Sequence, residues 1–273
     1  MDQFDLYMIT NKVKIADYVL KNGCDYIFVD FENMGKLERQ KNQNTPINSH
    51  TITDLNLLCE YVSPDNLLVR INSMHSNSKK EINEILEYDV NYIMLPYFKT
   101  LTEVKECIDI IDGRTKIILL METKESIANI ENFASLSSID RIHLGLNDLK
   151  IDFNLRFLFE GLVLGLSDLV SQTCKSYNMN FGIGGVGKLD SGLFPANMIL
   201  EEHARLGSTS CILSRVFHNQ PETLDELKST IDFRNETSKL KNYLFQMKKR
   251  SMDQVQFDHK SAINKINEII NHI

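Results

Sequence analysis

Two acidic residues follow apolar runs closely enough to be delivered by strands. Glu122 comes directly after Lys116–Met121 in KIILLMETKES, and Asp148 closes the stretch RIHLGLNDL that begins at Arg141. A parallel strand that breaks onto a polar side chain presents it at the carboxyl edge of the sheet, where α/β folds keep their chemistry. Carboxylate oxygens are hard donors, so such a pair suits Mg2+ or Mn2+ better than a softer ion. Helix capping is the plain alternative at both positions, although Thr123 and Asn147 stand beside them and can cap instead.

More polar residues fall into the same pattern. Asp30 and Glu32 end YIFVDFE, and Arg70 follows Leu67–Val69 in LLVRIN. Alternate strand residues share a face, which groups Phe28 with Asp30 and Glu32, Leu68 with Arg70 and Asn72, Leu120 with Glu122, and Leu146 with Asp148. In each case an apolar interior would be capped by a polar mouth. His143 has the opposite parity to Asp148 and is expected to face the surrounding helices. An open doubly wound sheet would collect the polar ends as well, so parity speaks for parallel α/β more firmly than for closure.

The elements needed to carry these residues alternate along the chain. Eight strands are expected, over 6–10, 26–32, 67–72, 92–98, 116–122, 141–148, 180–187 and 209–215. Helical periods lie between them, over 12–22, 52–62, 79–88, 101–111, 124–133, 157–177 and 195–206. This is the order of an α/β chain of parallel βαβ units, which at this length suits a (β/α)8 TIM barrel with a C-terminal helical extension, or two small domains. The barrel is assigned to 1–220 and the extension to 221–273, where strands give way to a polar, helical composition. Ile263, Ile266, Ile270 and Ile273 form one narrow apolar stripe there, to pack on the barrel or on a neighbouring subunit. Lys248, Lys249 and Arg250 read as a solvated face.

Composition narrows the partners. A chain of 273 residues can bury a large core, and a net charge of -7 with pI near 5.5 gives no general attraction to nucleic acid or anionic lipid. Five dispersed cysteines with no CxxC spacing indicate neither a zinc site nor a disulfide framework. No apolar run approaches a membrane span and the first residues do not read as a leader, so a cytoplasmic protein without a membrane partner is expected.

The succession YIFVDFE, LLVRIN, YIMLP, KIILLMET, GLNDL and FGIGGVG resembles the HpcH/HpaI aldolase and citrate lyase beta-chain family over about residues 6–218. The resemblance implies a barrel, usually a homo-oligomer, that cleaves or forms carbon–carbon bonds beside a 2-oxo acid or an acyl thioester with a divalent metal. It places Glu122 and Asp148 on the two metal-binding carboxylates, and Arg70 on the arginine that contacts substrate oxygens. Asp30 and Glu32 fall where relatives keep carboxylates, as proton carriers or as groups orienting that arginine. Asn72 and Gly145, on the same rim, are read as further substrate contacts.

The catalytic base is where the chain departs from the pattern. The aldolase branch has histidine after this Glu and the citrate lyase branch has Asp, whereas this chain has Asn33. His50, on the long loop that follows, is the replacement candidate, because an imidazole titrates near neutrality. Lys36 and Arg39 resemble the basic pair of the citrate lyase branch and would meet a phosphate or carboxylate, or form surface pairs. The expected activity is a metal-dependent carbon–carbon lyase acting on a small 2-oxo or 2-hydroxy acid. An acyl-CoA lyase and a non-catalytic metabolite-binding barrel are the alternatives.

Overall fold

The structure is a computed structural model that describes residues 4–35 and 50–273; Lys36 and Arg39 lie outside the described residues. Eight strands, β1 (Asp5–Ile9), β2 (Tyr26–Asp30), β3 (Leu67–Arg70), β4 (Tyr92–Leu95), β5 (Lys116–Met121), β6 (Arg141–Leu144), β7 (Asn180–Val186) and β8 (Ser210–Leu213), close a parallel barrel in sequence order. Every strand starts within a residue of its expected place, and every one stops early. Glu32, Asn72, Glu122 and Asp148 all lie past the ladder: Glu122 accepts the Tyr97 amide, Asn72 bonds the loop after β2 and Glu81, and Asp148 falls in the helix Leu146–Asp152.

Register decides what faces inward. Phe28 pairs with Leu68, Leu68 with Tyr92, and Ile118 and Leu120 with Arg141 and His143. Tyr7, Phe28, Leu68, Tyr92, Met94, Ile118 and Leu120 form the interior cluster, so Arg141 and His143 point into the barrel as well. The expectation that His143 faces the helices is therefore wrong. Parity had been counted from Asp148 through one continuous strand, but β6 ends at Leu144 and Leu146–Asp152 is a helix. Leu146 joins the outer core between strands and helices, not the interior. Below His143, Arg141 bonds Asp5 at 2.8 Å, donates to the Tyr7 hydroxyl, and lies against the rings of Tyr7 and Tyr92. The barrel floor is thus a paired charge sealed by aromatic rings, a costly arrangement unless both partners remain.

The described helices are α1 (Val13–Leu20), α2 (Ile52–Cys59), α3 (Ser78–Leu86), α4 (Leu101–Ile111), α5 (Lys124–Ala128), α6 (Ile130–Ala134), α7 (Leu146–Asp152), α8 (Glu160–Val163), α9 (Leu166–Ser176), α10 (Ala196–Leu206), α11 (Arg215–His218), α12 (Leu224–Thr230), α13 (Phe233–Met247) and α14 (Met252–His272). The helix expected over 157–177 is broken at Gly165, whose φ of 71° only glycine adopts readily. In the tail, α14 packs on α8 and α10 and buries Ala262, Ile266, Ile269 and Ile270. Ile273, counted in the stripe, is 64% exposed. Arg250 is also no solvated residue: it bonds Asp258 and donates to the Glu201 carbonyl at 2.8 Å, fastening the turn before α14 to α10. Among the described residues no helix is long and apolar enough to cross a membrane.

Two predictions follow from this packing. Ile266→Ala should cost about 2–4 kcal/mol of unfolding free energy in a denaturant titration, with the barrel still formed. Burial pushes the imidazoles of His143 and His218 down to about 4, and that of His203 to about 3, from an ordinary 6.5. Between those values the unfolded chain binds protons that the fold excludes, so stability falls as pH drops from 6.5 toward 4. His143→Gln should flatten that slope, and an unchanged slope would show that the ring titrates freely in the fold.

Candidate metal and substrate site

The site begins with a guanidinium held by two strands. Asp30 and Arg70 are register partners on β2 and β3, and Arg70 donates Nε–H to Asp30 Oδ1 at 2.8 Å and Nη2–H to Oδ2 at 2.7 Å. Its Nη1 lies 3.2 Å from Glu32 Oε2, and its charge sits over the Phe28 ring at 5.3 Å. Asp30 and Glu32 are fully buried. Burial works against the arginine's charge, but the carboxylates of Asp30 and Glu32 outweigh it and hold Arg70 firmly protonated. A guanidinium has five N–H donors, so hydrogens remain for a ligand on the cavity side of Arg70.

Beside this clamp, one carboxylate oxygen each from Glu32, Glu122 and Asp148 lie within 4.8 Å of one another, all three residues buried. The expected pair comes together, and Glu32, read as a proton carrier, joins it as a third member. Sequence parity already set Glu32 on the face of Asp30; only closure of the barrel brought it to β5 and α7. Neither expected acid caps a helix. Thr123 caps α5, accepting from the Ser126 amide at 3.1 Å, and Asp148 sits within the first turn of α7, where negative charge is favoured.

Backbone geometry aims Glu122. Tyr97, held at φ 48°, donates its amide to Glu122 Oε1 at 3.0 Å. A bulky residue in that conformation is strained by about 1–2 kcal/mol, and here the strain presents a donor to the site. On the other side, a Cβ at position 145 would lie 2.6 Å from Glu122 Oε2, so Gly145 provides the space the carboxylate occupies. Four buried acids, Asp30, Glu32, Glu122 and Asp148, surround one guanidinium. The excess negative charge away from water fits a hard divalent cation, which Glu122 and Asp148, both facing the cavity, could hold.

The cavity is about 450 Å³ and is lined by Arg70, Glu122, Gly145, Asp148 and His50, with Lys12, Gly184, Gly185, Ser214 and Arg215 completing the mouth. Asn72 is absent from that lining. Its Oδ1 accepts from the amides of Asn33 and Met34, both at 3.0 Å, and its Nδ2 donates to Glu81, so it fastens the loop after β2 instead of facing a ligand. His50 reaches the mouth, but its Nδ1 accepts the Asp30 amide at 3.0 Å. That bond puts the proton of the neutral ring on Nε2, and burial lowers the pKa further, so in this geometry His50 donates and has no lone pair for base catalysis. Arg215 was passed over in the sequence, where it stands outside any motif as the last residue of the eighth apolar run.

Glu122→Gln and Gly145→Ala should each weaken Mn2+ binding by ~10–100-fold, measured by calorimetry or by the free-ion resonance signal. If Glu122→Gln binds the ion like the parent, Glu122 is not a ligand.

The family model described as HpcH/HpaI aldolase/citrate lyase matches residues 3–161, more than half of the chain. A search of curated proteins returns no match. Among solved structures, the HpcH/HpaI aldolase from Desulfitobacterium hafniense DCB-2 is 14% identical with a TM-score of 0.60, covering 78% of this chain and 86% of its own. Protein CitE from Mycobacterium tuberculosis, crystallised with magnesium and acetoacetate, is 14% identical with a TM-score of 0.60, covering 96% of this chain and 97% of its own. The citrate lyase beta subunit from M. tuberculosis, complexed with oxaloacetate and magnesium, is 13% identical with a TM-score of 0.60, covering 91% and 98%. At such identities the structures speak for the barrel and the sequence match for the kinship. The chain belongs to the HpcH/HpaI aldolase/citrate lyase family of metal-dependent carbon–carbon lyases.

Proposed function

We propose that this chain is an aldolase that cleaves or forms a carbon–carbon bond next to a small 2-oxo or 2-hydroxy acid, with 1–220 as its lyase domain and 221–273 as a helical extension. The observation that carries the reading is the gathering of Glu32, Glu122 and Asp148 within 4.8 Å beside the clamped Arg70. Glu122 and Asp148 would hold Mg2+ or Mn2+; magnesium is the ion present in crystals of two neighbours of this fold. When bound, the ion supplies Lewis-acid stabilisation of negative charge on a substrate oxygen.

The chain's own groups account for the remaining steps. Asp30 and Glu32 fix the plane of Arg70, so its remaining N–H groups point at the cavity without reorganisation. As the bond beside the 2-oxo group breaks, its electron pair passes into an enolate, and Arg70 donates to the oxygen that gains the charge. The substrate hydroxyl loses its proton as the carbonyl fragment forms. Glu32, whose carboxylate oxygen lies within 4.8 Å of those of the cavity-lining Glu122 and Asp148, is our candidate acceptor, because Asp30 is bonded through both oxygens to Arg70 and the His50 lone pair lies on the Asp30 amide. Returning that proton to the enolate carbon yields the 2-oxo acid and restores the site.

A lyase acting on a CoA thioester is the second reading. It is favoured by the M. tuberculosis CitE crystallised with magnesium, acetoacetate and coenzyme A, which is 14% identical over 93% of this chain with a TM-score of 0.59. The test offers purified protein with Mg2+ or Mn2+ a panel of oxaloacetate, hydroxy-oxo acids and acyl-CoA thioesters. Pyruvate release from the free acids is expected, falling by ~10³-fold or more in Glu122→Ala and by ~10²–10³-fold in Arg70→Lys. Turnover of thioesters alone selects the second reading, and no turnover of any substrate leaves a barrel that only binds a metabolite.

A further inference from the structure

The barrel interior between floor and rim holds polar atoms that the chemistry above does not use. His143 on β6, Gly182 on β7 and Ser210 on β8 are successive register partners, one rung across three strands. His143 and Ser210 are fully buried. A Cβ at position 182 would lie 2.3 Å from Ser210 Oγ and 2.4 Å from His143 Nδ1, so both atoms converge on the notch that glycine leaves. Among the described residues neither atom has a hydrogen-bond partner in the protein. Ser210 also lies near the Tyr7 hydroxyl, which accepts from Arg141, so the notch borders the polar floor.

The tautomer of His143 follows from its other nitrogen. Nε2 lies 3.3 Å from the Gly184 carbonyl, which can only accept, so Nε2 carries the proton and Nδ1 the lone pair. Burial holds the ring neutral, with its pKa pushed down to about 4, and the charges of Arg141 and Arg70 act in the same direction. Near neutrality Nδ1 therefore calls for a donor. A lone pair and a hydroxyl that face one notch are satisfied together by a molecule able to donate to the nitrogen and bond the oxygen. At the size of a missing methyl group that molecule is water.

What the ring holds in place matters for the cavity. The β7–β8 register shifts between Gly182 and Gly185, and Gly184, with φ 45°, is paired by neither neighbouring ladder. Gly184 and Gly185 line the cavity together with Glu122, Gly145 and Asp148. A donor on the Gly184 carbonyl thus fixes a part of the wall that strand pairing leaves loose.

We propose that the Gly182 notch binds one ordered water between His143 Nδ1 and Ser210 Oγ, and that this water, by fixing the imidazole tautomer, makes His143 the positioning residue for the Gly184–Gly185 wall. The inference does not depend on which reaction the cavity performs. The test uses the full chain near neutral pH. Nitrogen-15 spectra of the histidines, with the His143 signals assigned by their loss in His143→Gln, should show a single tautomer protonated at Nε2. A high-resolution crystal structure should place a water within hydrogen-bond distance of both Nδ1 and Oγ. Ser210→Val replaces the hydroxyl by methyl groups and should expel the water and leave the ring a mixture of tautomers. Amide exchange over residues 183–186 should quicken ~10-fold in His143→Leu, which has no donor, and stay near the parent rate in His143→Gln, whose amide supplies one. Thermal unfolding shows that the variants fold; where Ser210→Val does not, the parent's spectra and density decide. A ring protonated at Nδ1, no water at the notch, a single tautomer surviving in Ser210→Val, or unchanged exchange in His143→Leu overturns the proposal.

Discussion

Negative charge packed out of reach of water is what the rest of this molecule accommodates. Asp30, Glu32, Glu122 and Asp148 come from two strand ends and a helix start, all buried, with one arginine bonded among them. Like charges so close in a medium of low polarity are unfavourable unless cations sit between them. Arg70 answers part of that demand from β3. The rest is the physical basis for a divalent ion, and it explains why Asp30 and Arg70 are register partners: the strongest pair in the site is set by the same ladder that closes the barrel.

Precision at the rim comes from main chain more than from side chains. The Tyr97 amide and the missing Cβ of Gly145 bracket the Glu122 carboxylate, and Asn72 ties the loop after β2 to Glu81 on α3. Thr123 takes the capping role at α5 and bonds the Phe98 carbonyl at 2.9 Å, which leaves Glu122 available to the cavity. Each device joins the ends of adjacent strands. The site is thus a property of the closed barrel, because the Tyr97–Glu122, Gly145–Glu122, Asn33–Asn72 and Thr123–Phe98 contacts each cross from one βα unit to the next.

The floor beneath is unusually polar. Arg141 with Asp5 and Tyr7 fills the lower interior, where branched apolar residues are the common filling, and His143 lies between that layer and the rim. Its Nε2 meets the Gly184 carbonyl at 3.3 Å while Nδ1 has no partner among the described residues. At the periphery, α13 and α14 are bound to the barrel by both apolar and ionic contacts. Thr237 on α13 donates to the Asn22 carbonyl at 2.8 Å, Lys241 pairs with Asp25 at 2.7 Å, and His259 on α14 meets buried Glu202 at 3.0 Å.

Local sequence carried the periodicities. Eight apolar runs separated by helical stretches were enough to place every strand start, and polar residues two beyond apolar ones marked Asp30, Arg70 and Glu122 as rim groups, because a pleat alternates with a fixed period. What sequence could not supply was the point at which each pleat stops. Counting β6 on to Asp148 turned His143 outward and made Asp148 a strand residue, whereas the chain enters α7 after Gly145 and reaches the same rim by another path. Roles decided by distant partners were equally hidden. Asn72 answers to Asn33, Met34 and Glu81, His50 to the Asp30 amide, and Arg215 gains its place only when β8 closes against β1. Alternation is local and can be read residue by residue. Which polar atom meets which is set by closure of the barrel, which brings together groups separated by long stretches of chain.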